Sequence, residues 1–270
     1  ALLTAARTGQ IEVVRALIAH GAKLEAKEHK GQTALMWAAH EGHADIVQLL
    51  LSMGADREAT LKSGFNAWFF AVRQGHADVV QVLLRDGQDV NAMVVDPPRG
   101  PRGLQNRTSA LILATINAHL DLAMELVAAG ADPNDIRSGQ SVLHLLPSVR
   151  RPHTGEDEDG MPPPRGSGRL TTLEFLSAMV AAGAEVNLRV PEANKPRQGD
   201  LHMQGVTPFF QAARRDDVAM MKRLLELGAD PTLGNADNCT PLLAAAGVGV
   251  LTPDEDAGTA AEAIEAIKLL

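Results

Sequence analysis

Two histidines beside a run of acids are the residues whose types and spacing suggest metal chemistry. His144 and His153 precede four consecutive acids at positions 156–159, and imidazole and carboxylate groups are ligands of divalent cations. The acids belong to a Pro/Gly-rich stretch, RRPHTGEDEDGMPPPRGSGR, whose composition is typical of a solvated loop. We therefore predict no metal site here and keep metal binding as the alternative.

Three recurring histidines and one cysteine are further candidates for chemistry. His43, His76 and His119 are about one structural repeat apart, too far to share a metal ion, so we interpret them as structural. Cys239 precedes Thr240 and has no histidine near it in sequence to act as a base. No phosphate-binding glycine loop, Ser-His-Asp order or zinc motif occurs. We predict no enzyme, no catalytic residue and no cofactor.

The composition narrows the class of protein. The 270-residue chain is 45% hydrophobic, contains 3% aromatic residues and has no tyrosine, so we expect a core of aliphatic and small side chains. A net charge of −8 argues against sequence-independent nucleic-acid binding, which requires clustered Lys and Arg. No run approaches the roughly 18 apolar residues that span a bilayer. We expect no nucleic-acid partner and no membrane insertion.

The two ends of the sequence suggest what kind of polypeptide the chain comes from and where it is located. The first residues, ALLTAARTG, lack the basic and apolar regions of a signal peptide. Both ends fall inside a repeated pattern, so we expect a trimmed product or a part of a longer polypeptide, monomeric in itself. A cytoplasmic location is the default expectation, and export with a signal segment outside these residues is the alternative.

A repeated helical hairpin positions the candidate residues described above. The stretch from Lys30 to Ala59 contains two short apolar helices, with Gly31, Gly42 and Gly54 at the three places where the backbone must turn. The pattern returns 33 residues later at Gly64, and seven units can be aligned. Within a single domain of residues 1–270 we predict approximate repeats at 1–28, 29–61, 62–93, 105–136, 137–189 (insertion 151–169), 203–235 and 236–270 (insertion 251–260, truncated).

The aligned units resemble the ankyrin repeat. Segments such as GQTALMWAAHEGHADIVQLLLSMGAD, GVTPFFQAARRDD and NCTPLLAAA are similar to its Thr-Pro-Leu-His-x-Ala signature and its period of 33. Thr33, Thr207 and Thr240 are predicted helix N-caps, and Pro208 and Pro241 suit the first helical turn.

Three positions depart from the pattern of the family. The stretch 66–69 is Asn-Ala-Trp-Phe, Arg107 occupies a turn normally held by glycine, and Pro147 stands where alanine is usual. The extra residues lengthen the fingers after repeats 3 and 5 and the helix–helix turns of repeats 5 and 7. They are either tolerated loop insertions or the rim of a ligand groove.

The resemblance implies an all-α ankyrin-repeat solenoid of stacked helix-turn-helix units with β-hairpin fingers and long inserted loops. It implies non-catalytic binding of a protein or peptide in the groove on the concave face, which we expect to span repeats 2 to 6. The alternatives are a rigid spacer or sensor arm of a larger multidomain protein and, third, an enzyme with its site in the long loops. The expected partner-binding residues are Trp37, His40, Glu41, Phe65, Arg73, Gln74, Asn117, Arg214 and Arg215.

Aromatic residues have two competing interpretations. Phe65 occupies a turn expected to face solvent, so it either folds back under the inserted residues 94–106 or anchors a partner. Other variable positions that the family turns toward its concave face include Arg7, Lys30 and Lys62. The remaining large rings are expected to fill the core between repeats: Trp68, Phe69, Phe70, Phe209 and Phe210.

Overall fold

The computed structural model consists of short helices in antiparallel pairs. It describes residues 1–95, 106–151, 166–192, 201–249 and 258–270. The chain divides into two compact units, Ala1–Ala131 and Asp132–Leu270. Helix-rich pairs of this kind confirm the predicted all-α fold class.

The first unit contains four helix pairs and a small hairpin among its described residues. Its elements are α1 (Leu2–Arg7), α2 (Ile11–Ala19), α3 (Ala34–Glu41), α4 (Ala44–Ser52), α5 (Ala67–Gln74), α6 (Ala77–Arg85), β1 (Met93–Val94), β2 (Thr108–Ser109), α7 (Ala110–Ile116) and α8 (Leu120–Ala128). The first helices of neighbouring pairs contact each other, and so do second helices α2, α4 and α6. We call these the first-helix layer and the second-helix layer.

The second unit follows the same plan. Its helices are α9 (Val142–Arg150), α10 (Thr172–Ala181), α11 (Pro208–Arg214), α12 (Val218–Glu226), α13 (Pro241–Ala245) and α14 (Ala260–Leu269). First helices α9, α11 and α13 stack in one layer, and second helices α10, α12 and α14 stack in the other.

Side-chain caps start the first helices where the sequence predicts them. The hydroxyl of Thr33 accepts a hydrogen bond of 3.3 Å from the backbone N–H three residues further on. Thr207 and Thr240 do the same at α11 and α13. Pro208 and Pro241 occupy the first helical turn, where a missing N–H costs no hydrogen bond.

The three departures from the repeat pattern leave the fold intact. Asn66 replaces threonine as a cap, and its Oδ1 accepts from the N–H of Phe69 at 3.2 Å. Arg107 adopts the left-handed φ of 64° that glycine holds elsewhere, which costs roughly 1–2 kcal/mol. Pro147 lies within α9, which nevertheless runs from Val142 to Arg150.

Histidines link successive pairs of the first unit. His43, His76 and His119 are the N-cap residues of α4, α6 and α8. Each Nε2–H donates to a carbonyl at the end of the preceding first helix, namely His43 to Arg7 at 3.1 Å, His76 to His40 at 2.9 Å and His119 to Arg73 at 3.0 Å. These three bonds form the histidine ladder, and they confirm the structural interpretation of the three residues.

The ladder needs glycine at the turn between the two helices of a pair. Gly42 has a φ of 83°, and a Cβ there would lie 2.7 Å from Nδ1 of His76. Gly9 has a φ of 73°, and its Cβ would lie 2.8 Å from Cε1 of His43. The absence of a side chain therefore allows both the turn and the ring of the next pair.

The large rings fill the core, as expected. Trp68, Phe209 and Phe210 are fully buried, and Phe69 and Phe70 are nearly so. Cys239 is also buried, in a cluster with Val190, Val206, Phe210 and Ala244.

The fingers that connect pairs are short antiparallel contacts where the structure describes them. Val94 pairs with Thr108 and Met93 with Ser109 across the first lengthened finger. The predicted insertions fall largely on residues 96–105, 152–165, 193–200 and 250–257, which lie outside the described residues.

Replacing two glycines of the same helix pair separates backbone strain from the space that the ladder needs. Gly54 has a φ of 87°, and apart from its chain neighbours no atom of the described residues lies within 4 Å of the place that a Cβ would take, so Gly54→Ala should lower the free energy of unfolding by about 1 kcal/mol. Gly42→Ala should lower it by about 2–3 kcal/mol, because strain and a weakened His76 bond add together. Urea unfolding followed by far-UV circular dichroism measures both values. Equal losses would contradict the role assigned to Gly42.

Candidate functional site

Four rings line up on the first-helix layer of residues 1–131. This aromatic row consists of Trp37, His40, Phe70 and Phe65. The ring centroids of Trp37 and His40 are 5.9 Å apart, those of His40 and Phe70 5.5 Å, and those of Phe70 and Phe65 5.3 Å. The contacts are edge-to-face, the arrangement that ring quadrupoles favour. The row therefore joins α3 to α5 through continuous ring contacts.

An exposed arginine lies at each end of the aromatic row. Cζ of Arg7 is 5.2 Å from the ring centroid of Trp37, and Cζ of Arg73 is 5.9 Å from that of Phe65. Both distances allow a cation–π attraction. Among the described residues, neither guanidinium forms a salt bridge with a carboxylate. The row thus ends in two solvent-facing positive charges.

The histidine ladder fixes the backbone of this surface. The three carbonyls that accept the ladder bonds belong to Arg7, His40 and Arg73, whose side chains take part in the row. Each of these residues lies in the last turn of its helix. Packing between repeats and positioning of the surface side chains therefore depend on the same three residues. Because the backbone of these residues is already fixed, ordering their side chains on binding costs less conformational entropy.

His40 is a neutral acceptor within the row. Burial lowers the pKa of His40, the nearby charge of Glu41 opposes this, and the charges of Arg73 and His76 lower it further. The side-chain amide of Gln74 lies 3.2 Å from Nδ1 of His40 and can donate to that nitrogen when it is unprotonated. The ring is therefore uncharged at neutral pH and is held by the neighbouring helix.

Phe65 corrects one expectation. The sequence suggests an exposed ring at a turn, but the structure places Phe65 at 6% exposure. It immediately precedes the cap Asn66 and packs on Phe70, the fourth residue of α5, which is the geometry of a hydrophobic staple. The ring of Phe69 is also near, at 5.9 Å. The expected exposure of the Phe65 ring is therefore wrong, its contact with a partner stays a prediction, and the ring lies beneath the guanidinium of Arg73.

The structure brings together most of the other predicted residues of the first unit. Trp37 is half-buried, and Glu41, Arg73 and Gln74 are exposed at the ends of α3 and α5. Asn117 is half-buried at the end of α7, and its amide donates to the carbonyl of Leu113 at 2.8 Å. The amide of Asn117 thus forms a hydrogen bond with the last turn of its own helix.

Two predicted residues belong to the second unit. Arg214 is half-buried, and its Nε has no hydrogen-bond partner among the described residues. Arg215 is half-buried and donates to the backbone carbonyl of Arg151 at 3.2 Å. These two residues therefore do not form part of the aromatic row.

Two members of the surface are not among the expected binding residues. The sequence marks Arg7 only as a variable position and assigns Phe70 to the core. The signal for Arg7 is its position, since it ends the first helix of repeat 1 much as Arg73 lies at the end of that of repeat 3. Phe70 is buried, and its ring meets that of His40 at an angle of 88°, a contact between repeats that local sequence does not encode.

The charged side chains that line a polar groove in the second unit neutralise one another. Its volume is about 530 Å³, and its lining includes three ion pairs: Arg150 with Asp217 at 2.9 Å, Arg151 with Glu262 at 2.7 Å and Lys222 with Glu265 at 2.8 Å. The hydrogen bond from Arg151, together with those from Thr259, lowers the pKa of Glu262 to about 2. These bonds tie α14 to the preceding pairs, so we assign the groove a structural role.

His144 is unsuited to metal binding because both ring nitrogens are occupied. Its Nδ1 accepts from the hydroxyl of Ser141 at 2.8 Å, and its Nε2–H donates to the carbonyl of Val206 at 3.2 Å. His153 and the acids 156–159 lie outside the described residues. Within the described part of the chain, no group of three or more His, Cys, Asp or Glu side chains is arranged to hold a metal ion.

The thiol of Cys239 is free and buried. Burial, assisted by the charge of Asp237, raises the pKa of Cys239, which disfavours a thiolate nucleophile. No helix in the described ranges has the length and apolar character needed to cross a bilayer.

Stacked helical hairpins with a side-chain surface on the first helices define a repeat protein, and comparison with known proteins identifies the class. Residues 2–94 match the family described as "Ankyrin repeats (3 copies)", and residues 204–233 match the family "Ankyrin repeat". Both matched segments are therefore ankyrin repeats. Ankyrin repeats are generally protein–protein interaction modules.

Two known proteins are similar to the chain, one in part of its sequence and one in its fold. The "Mitochondrial disaggregase" of Homo sapiens is 29% identical over 136 residues, which make up 50% of this chain and 19% of that protein. The chain therefore matches less than two thirds of that relative's length. The human ASB11 ankyrin repeat domain superposes with a TM-score of 0.68 and 20% identity over 99% of this chain and 96% of that one. At this identity the likeness shows the fold alone.

Burial of His144 predicts a pH-dependent stability. Desolvation lowers the pKa of His144 to about 4, whereas the unfolded chain binds the proton near 6.5. The neutral ring therefore stabilises the fold fully above pH 6.5, and about 3 kcal/mol is lost as the pH falls from 6.5 to 4. The variant His144→Gln should lack this pH-dependent part of the free energy of unfolding. The difference in free energy of unfolding between wild type and the variant should therefore shrink as the pH falls. Urea unfolding between pH 7 and 4.5 measures it, with the exposed His29→Gln as control; a pH-independent difference would contradict the assignment.

Proposed function

We propose that this chain is a non-catalytic binding module that holds a protein or peptide against the first-helix layer of residues 1–131. One observation carries the proposal: the aromatic row ends in two exposed arginines without salt bridges to described carboxylates. Trp and Arg are enriched among residues that dominate binding energy at protein interfaces. A stacked ring and guanidinium offer large contact area at a low entropic cost.

The surface is suited to binding because it is ordered before a partner arrives. The histidine ladder fixes the backbone at Arg7, His40 and Arg73. Gln74 and Glu41 lie exposed at the ends of α5 and α3, and they supply the polar rim that such interfaces have. Asn117, Arg214 and Arg215 stay predicted partner contacts.

A second candidate is a rigid arm of a larger protein. The matched segment of the human mitochondrial disaggregase is 19% of that protein, so similar repeats occur there within a much longer chain. Ile264, Ile267, Leu242 and Leu243 also leave an apolar surface on the last helix pair. The complete transcript tests this alternative: an attached catalytic or membrane-spanning domain supports it, and a transcript that encodes only repeats contradicts it.

Site-specific photo-crosslinking tests the binding surface. Benzoylphenylalanine replaces Gln74 at the end of α5 or Gln48 on α4, both of which are exposed glutamines. In extracts of cells that express the protein, the probe at position 74 should capture a partner, and the matched probe at position 48 in the second-helix layer should not. The same capture should fall at least about tenfold in Trp37→Ala/Arg73→Ala, which removes two anchors.

The outcome is read by mass spectrometry of the crosslinked bands. Thermal unfolding of each variant confirms that the repeats stay folded. Capture at position 48 rather than 74, or capture at 74 that is unchanged by the double substitution, would contradict the proposed surface.

A further inference from the structure

Exposed positive charges gather on the first helices of residues 1–131 and at the finger tips, which are residues 28–32, 61–65 and 106–107. Five cationic side chains of these segments are exposed: Arg7, Lys30, Lys62, Arg73 and Arg107. Of the acids in the same regions, Glu28 uses its carboxylate to accept from the N–H groups of Lys30 and Gln32, and Glu41 is the exposed acid at the end of α3. These helices and finger tips therefore carry more cations than acids, whereas the rest of the fingers carries both signs, including the exposed acids Glu25, Asp56, Glu58 and Asp89, and the whole chain carries −8.

The second-helix layer has the opposite character. Each of its four helices has an acid in the first turn: Glu12, Asp45, Asp78 and Asp121. Acids at helix N-termini and bases at C-termini both stabilise the helix dipole, which accounts for this placement within each helix. It does not account for the aromatic rings beneath Arg7 and Arg73.

A ring contact holds each guanidinium at the end of the row. Cζ of Arg7 lies over the ring of Trp37, 5.2 Å from its centroid. Cζ of Arg73 lies over the ring of Phe65, 5.9 Å from its centroid. A guanidinium is a rigid fork of N–H donors that matches the two oxygens of a carboxylate. The two forks are exposed and form no salt bridge among the described residues.

The spacing of the two arginines sets the length of the ligand. Arg7 ends α1 and Arg73 lies at the end of α5, with α3 packed between these helices. Neighbouring helices pack about 8–10 Å apart, so the two forks are separated by roughly 16–20 Å. An extended chain advances about 3.3 Å per residue and covers this distance in about five or six residues. Half-buried Trp37 lies between the two ends and offers an apolar contact.

We infer that the partner presents an extended acidic segment, with two carboxylates five or six residues apart and an apolar side chain between them. The carboxylates pair with Arg7 and Arg73, and the apolar side chain contacts Trp37. The inference rests on the proposed function and names the chemistry of its ligand. Glu41 opposes an acidic ligand, so its removal strengthens binding.

Selection from a displayed library of random 12-residue peptides tests the inference on the intact chain. The immobilised protein should enrich peptides with two Asp or Glu residues at this spacing and an apolar residue between them. Fluorescence anisotropy of one enriched peptide should show binding weakened roughly tenfold or more in Arg7→Glu/Arg73→Glu. Glu41→Gln should tighten binding roughly twofold to threefold.

The matched control reverses the same number of charges in the same two repeats. Arg15 on α2 and Arg85 on α6 are exposed arginines of the second-helix layer, so Arg15→Glu/Arg85→Glu has the same net charge. This control should bind the peptide as wild type does. Arg7→Gln/Arg73→Gln, which avoids new repulsion, should also lose binding, and thermal unfolding verifies the fold of each variant.

The outcomes separate the inference from the proposed function. Enriched peptides without acids, or equal binding by both double reversals, would overturn the acidic ligand while peptide binding itself would stand. No enrichment over bare beads would count against the proposed function as well. Sedimentation with phosphatidylserine vesicles that depends on Arg7 and Arg73, without peptide enrichment, would replace the acidic segment by a lipid surface.

Discussion

A helix pair of this size cannot bury its own apolar face, so the fold depends on the contacts between one pair and the next. In the first unit, neighbouring pairs are joined by the hydrogen bond from a second-helix histidine to the backbone carbonyl at the end of the preceding first helix. The turn between the helices must be left-handed and lack a side chain, as at Gly42, because the next ring occupies the space of a Cβ. Ala118 occupies the corresponding turn between α7 and α8 with a φ of 58°, a left-handed conformation that is strained for a residue with a side chain.

The same constraint shapes the surface. The residues whose carbonyls accept the ladder bonds are Arg7, His40 and Arg73, and their side chains stack on or within the aromatic row. Stability between repeats and order at the surface are therefore coupled through backbone atoms. Side chains at these positions can vary without breaking the ladder, since the ladder uses carbonyl groups that every residue supplies. This separation explains how a repeat keeps its fold while its binding chemistry changes.

Local rules predict the repeat, the caps and the cap glycines, because each depends on a few neighbouring residues. Thr33 caps its helix, and Gly54 is left-handed with a φ of 87°. Phe65 is the exception, since its burial depends on a staple with Phe70 that outweighs the exposure typical of a turn. The aromatic row is partly predictable: Trp37, His40 and Arg73 follow from their positions in the repeat, but ring contacts between repeats depend on packing that the sequence of one repeat does not determine.

In the proposed function a partner contacts the first-helix layer through Arg7, Trp37 and Arg73. Nuclear magnetic resonance of the ¹⁵N-labelled chain, titrated with an acidic peptide of the inferred spacing, tests it most directly, because arginine Nε–H and tryptophan indole signals report on individual side chains. We predict saturable shifts at Arg7, Trp37 and Arg73, with the signals of Arg15, Arg85 and buried Trp68 unchanged. Shifts confined to Arg15 and Arg85, or no saturable shift at the three residues, would contradict it.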